Sequence, residues 1–200
     1  MALPMYKNTL HLLENSDDST SRSFALRNIA RVFSQTQQLD SAICYYQQAI
    51  KIATPHTQSS LYNDLGILYI KTEKLEEAHE CLQNAVRLCN NPKLLPPIYL
   101  TLGEYFIKTR QYDSATCYLN KSIKSPLLYT QADSLYLFAE IEYQKQNYSK
   151  SIEYLKRYEL LNDSITKNSH FENIRMTQSM FNYQRLTDEK NNYEKKLPTG

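Results

Sequence analysis

Hydrophobic side chains in this sequence recur every three or four residues, a spacing typical of helices that bury one face. Leu26, Ile29, Ala30 and Phe33 form one such stripe, and a second begins at Tyr46 after a short polar stretch. Offsets of three, four and seven residues place the first stripe along one side of a helix. The pattern therefore predicts two amphipathic helices joined by a short polar turn.

This two-helix pattern returns along the chain at a nearly constant interval, which indicates an internal repeat. Each second helix has a small residue near its start, and successive small residues lie 36, 37 and 36 positions apart. These residues are Ala42, Ala78, Ala115 and Ser151. The first helices also carry small residues, at positions where a larger side chain would push neighbouring helices apart. That second set is Ala30, Gly66, Gly103 and Ala139. Four equivalent units are therefore expected to stack in line.

The order of residue types within a unit resembles the tetratricopeptide repeat. In that family the first helix carries large residues, then a small one, then an aromatic one, as in Tyr62, Leu65, Gly66 and Tyr69. The second helix places a large residue between small ones. The resemblance implies an all-α fold, namely a right-handed α-solenoid of antiparallel helix pairs whose concave surface binds other polypeptides. A C-terminal capping or connector helix would complete the array.

The repeat spacing also divides the chain into segments. Tyr6, Leu10 and Leu13 continue the spacing backwards, so the first segment is interpreted as the second helix of a truncated preceding unit plus its loop. The chain is accordingly interpreted as a piece of a longer protein. The predicted segments are residues 1–20 for this partial unit, 21–57, 58–94, 95–130 and 131–163 for the four complete units, and 164–197 for a helical extension.

The predicted extension has two interpretations. Asp163 or Ser164 is expected to cap a new helix, and Phe171, Ile174 and Phe181 then form an apolar stripe that becomes diffuse toward the C-terminus. One interpretation is a helix that caps the fourth unit. The other is a helix that forms a homodimer or connects the array to an output module, as in certain bacterial regulators that this segment resembles.

Composition excludes several classes of function. Lys and Arg number 23 against 21 Asp and Glu, so no strongly basic surface for nucleic acid is expected. No run of 18 apolar residues occurs, so no membrane span is expected within the chain. Only three glycines occur, too few for a phosphate-binding loop. The four cysteines are expected to be free thiols that fill apolar space, and the histidines are scattered. We therefore expect no catalytic site, no metal and no cofactor.

The family resemblance also predicts where a partner would bind. Five positions of each first helix line the concave surface in that family, and here they form an apolar strip with charged edges. The predicted partner-binding residues are Arg27, Arg31, Asn63, Ile67, Ile70, Lys71, Leu100, Glu104, Ile107, Lys108, Tyr136, Glu140 and Tyr143. The alternative is a tighter superhelix that buries the apolar members between the first helices. The family's clamp for a peptide carboxylate is matched only in part, because Leu100 and Glu104 stand where basic residues would be needed.

Three functional hypotheses follow from these expectations. The first is a non-enzymatic scaffold that binds a peptide or helix of a partner protein, as the repeat region of a larger bacterial regulator. The alternative is a regulator domain that senses a small peptide by changing its superhelix pitch. RNA recognition by a related helical repeat is disfavoured by the near-neutral charge. The default compartment is the cytoplasm, unless a targeting segment lies outside the chain.

Overall fold

The computed structural model describes residues 2–13 and 18–169 of the 200-residue chain, and this part folds as a series of α-helices without a strand. The helices are α1 (Ala2–Leu12), α2 (Ser19–Gln35), α3 (Leu39–Ile52), α4 (Pro55–Lys71), α5 (Leu75–Leu88), α6 (Leu95–Lys108), α7 (Tyr112–Ser122), α8 (Leu128–Gln144) and α9 (residues 148–169). A single 3-10 turn, Pro92–Leu94, precedes α6. Asp18 opens α2, because its carboxylate accepts a hydrogen bond from the backbone N–H of Ser21.

The helices stack as consecutive antiparallel pairs. Helices α2, α4 and α6 pack closely against α3, α5 and α7, respectively. Helix α8 packs against α9, where the rings of Phe138 and Tyr154 stack at a centroid distance of 5.2 Å. Each pair also contacts the next pair, because α4 packs against α6 and α6 against α8. The prediction of an all-α repeat fold is confirmed.

The turn inside each pair has the same geometry in all four units. After α2, Gln37 adopts a left-handed backbone conformation with a φ angle of 60°. The N–H of Gln38 then donates to the carbonyl of Phe33 at 2.9 Å, and that of Gln37 to Ser34 at 3.3 Å. These two bonds form a Schellman motif, which satisfies the last carbonyls of the helix. The equivalent left-handed residues are Glu73, Arg110 and Gln146. The four turns therefore impose one hairpin geometry on every unit.

Two glycines mark the closest helix–helix approaches. A Cβ atom added to Gly66 would lie 2.9 Å from Cδ2 of Leu82, and one added to Gly103 would lie 2.5 Å from Cδ2 of Leu119. Both leucines are fully buried, on α5 and α7. An added methyl group at either position would therefore require the facing leucine to shift, because real Cβ contacts do not fall below 3 Å.

The interior is apolar through most of the array and becomes partly polar near its end. One cluster of buried side chains runs from α2 to α6, and a second joins α6, α7 and α8. At the junction of α7 and α8, Ser122, Ser125, Thr130 and Ser134 are all buried. Ser134 Oγ donates to the carbonyl of Thr130 at 2.7 Å and lies 3.0 Å from Ser122 Oγ. In the repeat register Ser122 stands where Ala49 and Ala85 stand in the preceding second helices.

The structure corrects the predicted end of the fourth unit. Residues 148–169 are continuously helical, so no helix begins at Asp163 or Ser164. Ser164 instead donates its side-chain hydrogen bond to the carbonyl of Leu160 at 3.1 Å, as a residue inside a helix does. A serine or aspartate caps a helix only where the preceding backbone is not already helical. The rest of the predicted extension, with its cap and homodimer interpretations, lies outside the described residues.

Other boundaries and side chains also differ from expectation. Helices α2, α4 and α8 begin two or three residues before the predicted units, because their first turns use the junction segments. All four cysteines are free, as expected, but Cys44 and Cys117 are exposed. Cys81 is buried in the hydrophobic cluster, and Cys89 is partly buried against it. None of the helices within the described ranges combines the length and apolar character that crossing a bilayer requires.

Candidate protein-binding groove

The first helices of the pairs, α2, α4, α6 and α8, together border an open groove. Two neighbouring cavities of about 440 and 270 Å³ lie in it. Both are bordered by Arg27 of α2, Asp64 of α4 and Tyr129 at the start of α8. Side chains from distant parts of the sequence therefore meet in this groove, and all the predicted partner-binding residues belong to its helices.

An ion pair links the first two helices of the groove. The Arg27 Nε atom lies 2.7 Å from Oδ2 of Asp64, and both side chains are largely shielded from solvent. Burial alone would lower the pKa of Arg27, but the hydrogen bond and charge of Asp64 outweigh it and raise that pKa. Burial also raises the pKa of Tyr46, which borders the same cavity. The ion pair with Asp64 thus fixes the Arg27 side chain and links α2 to α4.

The same end of the groove presents further basic and apolar groups. Arg31 and Lys71 are exposed and border the larger cavity. Between them Ile67 is 42% exposed, an unusual fraction for an isoleucine in a packed helix. This part of the groove therefore offers positive charge beside an apolar contact.

Asn63 is a buried polar residue of the groove. It lies on α4, borders the smaller cavity and is only 9% exposed. Its side-chain carbonyl oxygen has no hydrogen-bond partner among the residues that the structure describes. Because a buried unpaired acceptor costs about 1–3 kcal/mol, an incoming N–H donor would be favoured here.

The opposite end of the groove is acidic and aromatic. Burial raises the pKa of Glu104 on α6; Lys108 opposes this shift, whereas Glu140 and Asp133 add to it. Tyr136 and Tyr143 are exposed on α8, and with Glu140 they border a cavity of about 260 Å³ that lies between α8 and α9. This half therefore offers negative charge and aromatic rings.

The structure corrects the predicted apolar strip. Ile70 is 1% exposed and Ile107 is 7% exposed, so neither is available to a partner. Both are part of the hydrophobic core, and Leu100 is half-buried against it. The tighter arrangement is thus correct for these positions, because the first helices pack closely enough to enclose them. Ile67, Tyr136 and Tyr143 stay accessible, so the apolar surface is divided into two patches.

Sequence reasoning missed several residues of the groove. Asp64 was not among the predicted residues, although it borders both cavities. Leu94 and Tyr129 lie in or next to the junctions between units and are exposed at the groove. The signal that could have found them is the repeat length, since the extra residues beyond the family's usual repeat fall in these junctions. Within the described ranges, no three His, Cys, Asp or Glu side chains converge as metal ligands.

Comparisons with known proteins agree with this geometry. Residues 25–56 and 59–92 match the family model described as tetratricopeptide repeat. A search of curated proteins yields no significant match. The match covers the first two of the four helix pairs, so these two pairs are tetratricopeptide repeats. Repeats of this family generally mediate protein–protein interaction.

Solved structures show the same fold at low sequence identity. The crystal structure of BtubC (BKLC) from P. vanneervenii is 12% identical with a TM-score of 0.67, over 82% of this chain and 72% of that one. A crystal structure of MamA is 16% identical with a TM-score of 0.59, over 82% and 89%. Residues 41 to the end of MamA from Desulfovibrio magneticus RS-1 are 13% identical with a TM-score of 0.55, over 82% and 96%. These likenesses establish the helical repeat fold.

Proposed function

We propose that this chain is a non-enzymatic scaffold that binds a segment of a partner protein in the groove bordered by α2, α4, α6 and α8. The observation that carries the proposal is the unpartnered side-chain oxygen of Asn63, buried beside an open cavity. Exposed Ile67 on the same helix supplies an apolar contact nearby. A polar acceptor that lacks a partner and a neighbouring apolar patch together suit a polypeptide ligand.

An extended segment fits Asn63 better than a helix does. The Asn63 oxygen needs an N–H donor, and an extended backbone presents N–H groups that are not yet hydrogen-bonded. A helix uses most of its backbone N–H groups internally. We therefore favour an extended peptide over the helical partner among the two ligand types predicted from the sequence.

The proposal is tested by selecting binders from a phage-displayed library of random 16-residue peptides. The best binder is then synthesised with a fluorophore, and its affinity is measured by fluorescence anisotropy. Ile67→Asp is expected to weaken binding about tenfold or more, because it places a charge on the apolar patch. Ile152→Asp is the matched control, since Ile152 is 53% exposed on α9 and does not border the groove cavities. Failure to select any binder, or equal affinity for both variants, would contradict the proposal.

The regulator context is a further part of the proposal. We place the array in a larger bacterial regulator on the sequence resemblance alone, and the peptide-sensing alternative predicts that the superhelix changes pitch when the peptide binds. Small-angle X-ray scattering with the selected peptide distinguishes the two functions. A sensor shows a decrease in radius of gyration at saturation, whereas a passive scaffold keeps the same value.

A further inference from the structure

The charges of the groove are separated along its length. Its basic half consists of Arg27, Arg31 and Lys71 with Asp64, which leaves two net positive charges on α2 and α4. Its acidic half consists of Glu104, Asp133 and Glu140 with Lys108, which leaves two net negative charges on α6 and α8. The net charge of the whole chain is only +2 and does not reveal this separation. The groove is therefore an electrical dipole, with its positive end at the first two units.

The carboxylates of the acidic half repel one another. Burial raises the pKa of Glu104, and the charges of Glu140 and Asp133 raise it further. Lys108 opposes these contributions, and the net shift is upward because burial is its largest cause. A cation placed between α6 and α8 would relieve this repulsion, since opposite charges at close range favour the ionised form of a carboxyl.

The basic half carries positive charge that no acidic residue of the groove neutralises. Arg27 is neutralised by Asp64 at 2.7 Å, whereas Arg31 and Lys71 are exposed at the edge of the larger cavity. Asn63, also on α4, adds its unpartnered oxygen in the neighbouring cavity. A peptide with an anionic side chain next to a free backbone N–H would pair its charge with Arg31 and Lys71 and donate a hydrogen bond to the Asn63 oxygen.

We propose that the groove binds polypeptide segments in one orientation, with acidic side chains of the segment at the basic half and basic side chains at the acidic half. This inference rests on the proposed function and specifies the partner's chemistry. Neighbouring helices lie about 8–10 Å apart, so corresponding points of the two halves are separated by about 16–20 Å. An extended chain spans about 3.3 Å per residue, so the two charged blocks of the ligand are separated by about five or six residues.

The opposite orientation is disfavoured by like charges. Acidic side chains would then face Glu104 and Glu140, and basic ones would face Arg31 and Lys71. Complementary charges at an interface fix the register and suppress wrong arrangements more than they add affinity. The apolar contacts to Ile67 and the tyrosines are thus expected to supply affinity, and the charge separation to supply direction.

The test uses the library described above, with selection at low salt so that charge effects are not screened. Selected peptides are expected to carry separate acidic and basic blocks. Charge reversal of either half is expected to weaken binding at least about fivefold, because exposed charge pairs contribute up to about 1 kcal/mol each. The two variants are Arg31→Glu/Lys71→Glu and Asp133→Lys/Glu140→Lys. Glu153→Lys/Glu159→Lys on exposed positions of α9 is the control for net charge. Circular dichroism verifies that each variant is folded.

A charge exchange tests the orientation itself. In the variant with both halves reversed, a peptide whose acidic and basic residues are exchanged is expected to regain most of the affinity. In the parent protein, a photo-crosslinker at the acidic end of the peptide is expected to label α2 or α4, and one at the basic end α6 or α8. If bound peptides carry no charge pattern, or both ends label the same helices, the orientation proposal is wrong while the scaffold function stands. If no peptide is selected at all, both are wrong.

Discussion

Replacing Gly103 by alanine tests the close helix packing that holds each pair together. The added Cβ would lie 2.5 Å from Cδ2 and 2.8 Å from Cγ of Leu119, which is fully buried and has no open space to move into. Overpacking of this kind costs about 1–3 kcal/mol, whereas alanine gains about 1 kcal/mol in helix propensity over glycine. Because the 2.5 Å contact is far below 3 Å, we take the upper part of that cost, about 2–3 kcal/mol, and expect a net loss of about 1–2 kcal/mol in the free energy of unfolding.

Gly66→Ala provides the internal comparison for this prediction. Its Cβ would lie 2.9 Å from Cδ2 and 3.1 Å from Cγ of Leu82, so the clash is milder and the helix propensity gain offsets most of it. We expect a change of about zero. Urea denaturation followed by circular dichroism measures both variants, with the shift in midpoint at unchanged slope giving the change in stability.

A double variant then tests the contact directly. Leu119→Ala alone is expected to cost about 2–5 kcal/mol, but Gly103→Ala/Leu119→Ala should cost less than the sum of the single changes, because the smaller side chain makes room for the new Cβ. The reasoning is refuted if Gly103→Ala is more stable than the parent, if it is less harmful than Gly66→Ala, or if the two changes at 103 and 119 are additive.

Three other properties of the structure give direct predictions. Glu73→Gly should stabilise the protein by about 0.5–1 kcal/mol, because Glu73 has a φ angle of 59° that glycine adopts without strain. Urea denaturation measures the change, and an unchanged or lower urea midpoint contradicts the left-handed turn. Since the pKa of Glu104 is raised in the folded protein, its ionisation costs stability as the pH rises through that pKa. Glu104→Gln should therefore be more stable than the parent at pH 7, and this advantage should be lost below pH 4.5, the ordinary pKa of a glutamate. Thermal melts of both proteins across this pH range measure the difference in stability, and a difference that does not change with pH contradicts the prediction. Burial raises the pKa of Cys81 to about 12, so a thiol reagent should modify exposed Cys44 and Cys117 rapidly and Cys81 only after unfolding, as mass spectrometry of the labelled peptides will show.

Much of the fold could be predicted because it is a repeat. The small residues at 36- and 37-residue intervals indicated where helices approach closely, and Gly66 and Gly103 lie at such points. The turns were predicted as short and polar, but their left-handed residues were not, since Gln37 and Arg110 are side chains that rarely adopt this conformation. Their left-handed conformation is part of the Schellman motif that ends each first helix.

The candidate groove was predictable only in part. Family positions identified the helices that border it, but they do not determine how far each side chain is enclosed by the next unit. Ile70 and Ile107 are buried and Ile67 is exposed, although a helical pattern alone makes all three equally apolar. Asp64 and Tyr129 border both cavities, and helical periodicity does not determine which side chains from different helices meet there.

The central claim is that the face formed by α2, α4, α6 and α8 receives an extended polypeptide. A crystal structure of the complete chain with a library-selected peptide tests it most directly. The prediction is electron density for an extended backbone along these four helices, with a peptide N–H group donating to the side chain of Asn63. Density for the peptide on the opposite face, along α3, α5 and α7, would contradict the account.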